Sequence, residues 1–392
     1  MFGVVGIGVV FLSLRLERRS ELTLPTPTGS FAVGRSIYDW TDNVKLDSLA
    51  PLPGTKRELL VWIWYPSVTG DSAITADYVP AQMRPKGDYA KAPLIFRLLT
   101  RDPSKVHGHS LLNSNVAPQQ KSYAVLIMRG GASAQVVNYS TLAEDLASHG
   151  YVVVGFDAPY RTNVVVFPDG RVMTRRPENN PELAIGSADS ASLVNKLLSA
   201  WTGDIAFVLD RLQLLNSTDS SGKFKGRLDM TRVGVFGHSL GGATAAQFCH
   251  DDSRCKAGID VDGAPLGSVV RDGLHQPFMF VLSDEIHSND PQTRRILADI
   301  QSIYDRLPRD ERLRVAIRGA NHFTFSDDGA LLKSRMVRGI LRTFGKLGID
   351  GPRQLAITAY CLRSFFDAHL KGPTGSAVSL SSSLYPEIQI LE

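Results

Sequence analysis

Short runs of almost uninterrupted apolar residues punctuate this chain. Residues 59–65 (Leu-Leu-Val-Trp-Ile-Trp-Tyr), 124–128 and 151–156 are the clearest, and 257–261, 278–282 and 313–317 continue the series. A strand that is apolar on both faces is predicted to lie inside a sheet covered on both sides. Between these runs the pattern becomes helical. Residues 140–150 read as a helix stopped by Gly150, and 188–215 as a long helical region broken near Thr202-Gly203. Two more helices are expected at 331–344 and 354–370. Residues 164–167 and 171–173, joined by Pro168-Asp169-Gly170, predict a hairpin. Strands that alternate with helices indicate an α/β fold, a mostly parallel central sheet covered by helices on both faces.

Two stretches do not fit that rhythm. Residues 22–52 are rich in Pro, Gly, Thr and Ser and read as an extended wrapping segment. Residues 67–120 show weak periodicity with one apolar helical piece at 93–99. An insertion of that length is expected to be either a lid or a surface excursion packed on the domain. No repeat or low-complexity linker divides the rest. The expectation is one catalytic domain over 21–392, preceded by an apolar segment over 1–20.

Composition changes this picture little. Of 392 residues 43% are hydrophobic and 21% charged, as expected of a globular chain with a buried core. The net charge of +4 comes without a dense basic stripe interleaved with aromatics, so nucleic acid is not an expected partner. The cysteines are Cys249, Cys255 and Cys361, in no zinc-like spacing, and Gly6-x-Gly8 lacks the third glycine of a dinucleotide site. No metal and no cofactor is therefore expected. Cys249 and Cys255 can pair in an oxidising compartment or stay as thiols, which leaves the compartment open. The first fourteen residues carry no charge and run into Arg15, Glu17, Arg18 and Arg19. Such a run is shorter than the roughly 20 residues of an upright span. It has no basic residue before it and no cleavage-like site after it, so it makes a poor signal peptide. The expectation is contact with a membrane surface through this segment, with a frayed apolar terminus as the alternative. A membrane-associated or exported protein is favoured over a cytoplasmic one.

The chemistry concentrates at Arg232-Val233-Gly234-Val235-Phe236-Gly237-His238-Ser239-Leu240-Gly241-Gly242. An apolar run ends in Gly-x-Ser-x-Gly, and the small residues Ala243, Thr244, Ala245 and Ala246 follow. This is the strand, turn and helix of a nucleophile elbow, where only glycine fits two residues either side of the serine. A serine hydroxyl needs a base, and the base needs a carboxylate to hold its tautomer. On the α/β-hydrolase sheet the order is Ser, then Asp or Glu, then His. His322 follows the run 313–317 in a loop and is the expected base. Asp262 and Asp284, each just past a strand, are both candidates for the acid, with Asp260 deeper in its strand. The oxyanion donors expected on this fold are the backbone N–H of Leu240 and one from the loop 130–133. His238 is expected to pack beside the turn.

Several stretches in order resemble the plasma-type platelet-activating factor acetylhydrolase family of α/β-hydrolases. They are Leu24-Pro25-Thr26-Pro27-Thr28-Gly29 with Ala32-Val33-Gly34, Lys56-Arg57-Glu58-Leu59 leading into Ile63-Trp64-Tyr65-Pro66, and Asp145-Leu146-Ala147-Ser148-His149-Gly150. The elbow, then 258–262 with Pro265-Leu266-Gly267, add to them. His322 with Phe325, Ser326 and Asp327, and the late Phe365-Phe366-Asp367, fit as well. The resemblance implies Asp262 as the acid and calcium-independent hydrolysis of short or oxidised acyl esters of glycerophospholipids. Two departures stand out. Gly130-Gly131 replaces the family's His-Gly, which leaves Ala132 as the second oxyanion donor. Ala264 stands where the animal enzymes carry a bulky aromatic, two residues past the acid, which implies a roomier acyl site. Ala264 and Phe325 are taken as substrate-binding candidates.

The function expected is a serine ester hydrolase acting on short or medium acyl esters of a small molecule or lipid. A polyester hydrolase, a cutinase-like esterase or a dienelactone-type hydrolase shares the triad but differs in the pocket. A non-catalytic binding protein on the same fold is the remote alternative, since no triad member is missing.

Overall fold

The computed structural model describes residues 12, 14–70, 73–84, 101–132, 134–180, 190–288, 290–331, 339, 343, 348–373, 378–381 and 383–391. The N-terminal part contributes β1 (Leu22–Thr23), β2 (Ala32–Leu46), β3 (Lys56–Ser67), β4 (Thr75–Asp77) and β5 (Val106–Leu112). Then come β6 (Tyr123–Arg129) and β7 (Tyr151–Asp157), a separate hairpin of β8 (Val164–Val166) and β9 (Val172–Thr174), and β10 (Leu228–His238). The series ends with β11 (Cys255–Val261), β12 (Phe278–Leu282), β13 (Arg312–Ile317) and β14 (Ile388–Ile390). Twelve of these strands form one sheet in the order β1-β5-β2-β3-β7-β6-β10-β11-β12-β13-β14, with β4 on β5. From β7 to β13 every neighbouring pair is parallel. β3 runs antiparallel to β2 and β7, and β14 antiparallel to β13.

The main helices are α1 (Ser140–Ser148), α2 (Ser190–Thr218), α3 (Leu240–Asp251), α4 (Pro291–Tyr304) and α5 (Gly351–Phe366). They explain why the strands read as continuous apolar runs. On β6, Ala124, Leu126 and Met128 face the layer containing Leu142 and Leu146 of α1 and Leu355 and Leu362 of α5. The alternate residues Tyr123, Val125 and Ile127 face Ile205, Val208 and Leu212 of α2, Phe248 of α3 and Ile300 of α4. Both faces of the strand are buried, so neither face needs a polar position.

Three expectations change. Residues 22–52 do not merely wrap. They contain the long strand β2, which pairs with β3 from Ala32↔Ser67 to Leu46↔Lys56. Its polar residues hide that strand from a pattern reading, because Arg35 and Ser36 are buried. Arg35 is held there by hydrogen bonds from its guanidinium to the carbonyls of Asp77 and Tyr78. The helix expected to break near Thr202-Gly203 is continuous in α2. Arg57 covers Gly203, donating to its carbonyl at 2.8 Å, and occupies the space a side chain there would take. The described part of the 67–120 insertion adds β4 and β5 to the sheet. The helical piece 93–99, most of the first fourteen residues and most of the expected helix 331–344 lie outside the described residues.

Two links brace the fold, one local and one long-range. A disulfide joins Cys249, near the end of α3, to Cys255 at the start of β11, and Cys361 is a buried thiol. The Arg161 guanidinium, fully buried, donates to Asp47 at 2.8 Å and to Asp204 of α2 at 2.6 and 2.7 Å. Asp204 also lies 3.4 Å from Arg57. Removing one partner of a buried ion cluster leaves charge without compensation. Arg161→Ala is therefore expected to lower unfolding stability by about 3–5 kcal/mol. Urea titration followed by tryptophan fluorescence measures it, and a loss under about 1 kcal/mol would contradict the assignment of a buried, fully charged cluster.

Candidate active site

The turn between β10 and α3 is shaped by what cannot fit in it. A Cβ on Gly237 would lie 2.2 Å from the carbonyl carbon of Gly241, and one on Gly241 would lie 2.2 Å from the carbonyl oxygen of Arg129. Both are backbone atoms that cannot yield. Ser239, between them, has φ 57° and ψ −125°, a conformation that costs a non-glycine residue of order 1–3 kcal/mol. The surroundings hold it there. Its N–H donates to the Val261 carbonyl at 2.8 Å, and its carbonyl accepts from Gly242 at 2.9 Å.

Asp262 sits where β11 ends, with φ 53°. Its N–H donates to the Val281 carbonyl at 2.7 Å, and its Oδ1 accepts from the Ser283 N–H at 2.7 Å. The other oxygen, Oδ2, lies 2.7 Å from His322 Nδ1. His322 Nε2 lies 3.1 Å from Ser239 Oγ. His322 opens a short 3₁₀ turn, His322–Phe325, capped by Asn321, whose side chain accepts from the Phe323 N–H. Gln354 of α5 pins this turn by donating to the Asn321 carbonyl at 3.2 Å and accepting from the Thr324 hydroxyl. The three residues expected to act together are thus in one hydrogen-bonded line.

The electrostatics follow from burial and pairing. Burial alone lowers the pKa of His322, but the hydrogen bond and charge of Asp262, with help from Glu285, leave it above the ordinary imidazole value. Burial raises the Asp262 carboxyl, and the same hydrogen bond, with the Ser283 amide, outweighs it and holds the group below the usual range. His238 differs. It is buried, its ring centroid lies 4.7 Å from that of His322, and burial together with His322 pushes its pKa down to about 3. Asp260 is buried as well, and burial raises its carboxyl well above the carboxylate range. In both, burial disfavours the charged form.

The other candidates divide. Asp260 Oδ1 accepts from the Gly263 N–H at 2.8 Å, so this carboxyl braces the loop rather than the base. Asp284 lies 3.7 Å from His287, and the carboxylate hydrogen-bonded to His322 is that of Asp262. Leu240 is the first residue of α3, where backbone N–H groups lack an intrahelical acceptor. The Gly131 N–H is taken by the Tyr139 hydroxyl at 3.1 Å, which leaves Ala132 as the next amide of the loop. Ala264 is half-buried in the loop after Asp262. Phe325 is completely buried in the core with its ring 5.7 Å from that of His238, so its side chain does not line an open pocket. The exposed aromatic here is Phe323, whose ring stands edge-on to His322 at 5.4 Å and is 73% exposed. The 3₁₀ turn decides this, sending Phe325 inward and Phe323 outward.

Sequence reasoning missed Phe323, Tyr139, Gln354 and an apolar wall beside Leu240. That wall comprises Leu49, Leu197, Ala200 and Trp201, with Leu193 and Leu240 packed on it. Gln354 carried a readable signal, a glutamine on the same helical stripe as Thr358, Cys361 and Leu362. Among the described residues no group of His, Cys, Asp or Glu is arranged to hold a metal ion, and no helix is long and apolar enough to cross a membrane.

Comparison with known proteins places the chain among ester hydrolases. Residues 196–372 match the family described as platelet-activating factor acetylhydrolase, isoform II. A protein of Arthroderma benhamiae named probable 1-alkyl-2-acetylglycerophosphocholine esterase is 25% identical over 396 residues, covering 95% of this chain and 95% of that protein. The platelet-activating factor acetylhydrolase of Cavia porcellus is 28% identical over 228 residues, covering 53% of this chain and 49% of that protein. The match thus spans about half the length of that relative. The solved structure of a ferulic acid esterase from Streptomyces cinnamoneus superposes with a TM-score of 0.73 at 25% identity, covering 95% of this chain and 100% of that one. The chain is a carboxylic ester hydrolase on a single-domain α/β-hydrolase fold, and it is similar to the platelet-activating factor acetylhydrolases.

Proposed function

We propose that this enzyme hydrolyses short or medium acyl esters of lipid-like alcohols, with glycerophospholipids of the platelet-activating factor type as the leading substrate class. The observation that carries the catalytic part is the hydrogen-bonded line from Ser239 Oγ through His322 to Asp262. Ser239 donates its proton to His322 Nε2 as its oxygen attacks the ester carbonyl. His322 then returns that proton to the leaving alcohol, and an acyl-enzyme remains until water repeats the cycle. Asp262 accepts from Nδ1, keeps the ring in the working tautomer and stabilises its cationic form. The amides of Leu240 and Ala132 receive the developing oxyanion. The lipid part of the reading is supported by the name of the Arthroderma relative, which matches nearly the whole chain. The partly exposed Leu193 and Leu240, packed on buried Leu197 and Trp201, offer an acyl chain an apolar surface. Contact of the N-terminal segment with a membrane surface belongs to the same proposal. The exposed Leu12 and Leu16 near Arg15 and Arg19 suit an interface. The structural neighbour makes aromatic acyl esters the competing class. A series of nitrophenyl esters of increasing chain length, run beside short- and long-chain phospholipids and a feruloyl ester, decides between them.

Ser239→Ala and His322→Ala are each expected to lower the turnover rate by about 10³-fold or more, because the pair acts as a unit. A tenth of the activity surviving in either variant contradicts the assignment.

Asp262→Asn is expected to damage turnover far more than Asp284→Asn or Asp260→Asn. It also carries a sign for pH. Activity needs neutral His322, whose pKa is raised, so kcat/KM falls as pH drops through a midpoint above the ordinary value of about 6.5. Without the carboxylate the imidazolium loses its partner, and in the residual activity of Asp262→Asn that midpoint moves to lower pH. A midpoint that stays fixed or rises would count against Asp262 as the partner.

Ala264→Trp is expected to reduce turnover of butyrate to octanoate esters and to spare acetate. Each buried methylene contributes about 0.8 kcal/mol, so refilling the space penalises longer chains progressively. Equal losses on acetate and octanoate would remove position 264 from the acyl site.

A further inference from the structure

Tyr139 is the buried polar group at the site that the mechanism above leaves without a task. It ends the 3₁₀ turn Val136–Tyr139, between the loop 130–132 and α1. It is only 2% exposed. Its ring lies against the α-carbon of Gly130, where an added Cβ would meet Tyr139 Cε2 at 3.0 Å. Its hydroxyl makes two hydrogen bonds, accepting from the Gly131 N–H at 3.1 Å and facing His238 Nδ1 at 2.9 Å. Gly131 in turn borders the nucleophile. A Cβ there would lie 3.5 Å from Ser239 Cβ.

The direction of this chain of bonds is fixed by chemistry. The backbone N–H of Gly131 can only donate, so the phenol oxygen accepts from it. Burial raises the pKa of Tyr139, so the phenol keeps its proton. That proton needs an acceptor, and His238 supplies one because its ring is neutral. The order is Gly131 N–H to Tyr139 oxygen, then Tyr139 O–H to His238 Nδ1. His238 is therefore held as the tautomer with its hydrogen on Nε2. Each bond reinforces the next in a site of low dielectric.

The arrangement has a consequence for the oxyanion loop. With its N–H committed inward to Tyr139, the Gly131 peptide cannot turn that N–H toward Ser239. The following amide, that of Ala132, has no acceptor among the described residues. We infer that Tyr139 and His238 form a positioning pair, in which the Tyr139 hydroxyl, aimed by His238, locks the Gly131 peptide and so presents the Ala132 amide to the transition state. The inference rests on Ser239 as nucleophile. His238 has a competing explanation, that it serves only as a flat ring on which His322 rests at 4.7 Å.

Two substitutions at His238 separate the alternatives. His238→Phe keeps a ring against His322 and removes the acceptor. His238→Asn removes the ring and keeps an acceptor at the Nδ1 position for the Tyr139 hydroxyl. Tyr139→Phe removes the hydroxyl alone. The full chain of each variant is assayed on nitrophenyl butyrate for kcat and KM, with melting temperature recorded to verify folding. Tyr139→Phe and His238→Phe are expected to lower kcat by roughly 10- to 100-fold, the scale of a disturbed oxyanion donor. KM should stay within about threefold, because only transition-state binding is touched, and His238→Asn, which keeps the acceptor, should hold kcat within about fivefold of the parent. Should Tyr139→Phe not fold, the order of the two His238 variants decides. The proposal is overturned if Tyr139→Phe keeps kcat within about threefold, if the losses fall in KM, or if His238→Asn is as impaired as His238→Phe. Ser239→Ala in the same assay tests the underlying reading separately. If it retained turnover, the nucleophile would be wrong, whatever the Tyr139 result.

Discussion

The backbone of β10 and α3 passes so close to the end of β6 that Gly237 and Gly241 have no room for a side chain. This contact fixes the rest of the site. It brings the start of α3 against Arg129, forces Ser239 into a left-handed turn and sets the loop 130–132 beside it. The neighbouring strand answers with a hydrogen bond from Ser239 N–H to Val261, so the elbow and the end of β11 are held in register. Asp262 then emerges one residue later, also at positive φ. Two strained residues on adjacent strands are thus aimed at the same imidazole. Strain of this kind persists only where the surroundings over-determine it. Here the surroundings are the backbone of three parallel strands.

Burial also simplifies the charges. Asp260, Asp262, His238 and His322 crowd one end of the sheet, and burial sorts them. It raises the Asp260 carboxyl, which no cation repays, while the hydrogen bond from His322 holds Asp262 low. Burial first, and then His322 beside it, push the His238 ring down to about 3. Asp262 is therefore the main anion that His322 answers to, with Glu285 adding to it. Coulomb interaction in a poorly solvated place is strong, so an extra fixed charge here would dominate the base's titration.

Legibility in the sequence tracked how local each physical cause is. The buried parallel strands were readable because both of their faces need apolar residues. The closeness of Ser239 and His322 was readable because the elbow is a local steric solution and His322 follows a late strand. The carboxylate that meets His322 was not readable from residues alone. Asp262 and Asp284 each follow a strand, and only the positive φ at 262 and the 3₁₀ turn at 284 separate them in space. β2 was hidden because Arg35 and Ser36 are buried by partners distant in sequence. Tyr139 was hidden for a similar reason. Its hydroxyl partners are Gly131 and His238, and the latter lies on another strand. Phe325 and Phe323 differ by two positions in one short turn, where the pattern holds no information about which ring faces inward.

The pairing of β3 with β7 sets a schedule for biosynthesis. β3 is apolar from Leu59 to Pro66, and its second edge is closed only by register with β7, from Leu60↔Asp157 to Trp64↔Val153. A ribosome delivers that partner roughly ninety residues after β3, which at about 5–20 residues per second is a delay of about 5–20 s. Throughout that interval β2 can cover one side of β3, while the other edge presents unpaired amides and two tryptophans to the surrounding solution. The nascent chain is thus most prone to mispairing before Ser239, Asp262 and His322 have been synthesised, and a slowdown in translation over residues 68–150 would lengthen that exposure.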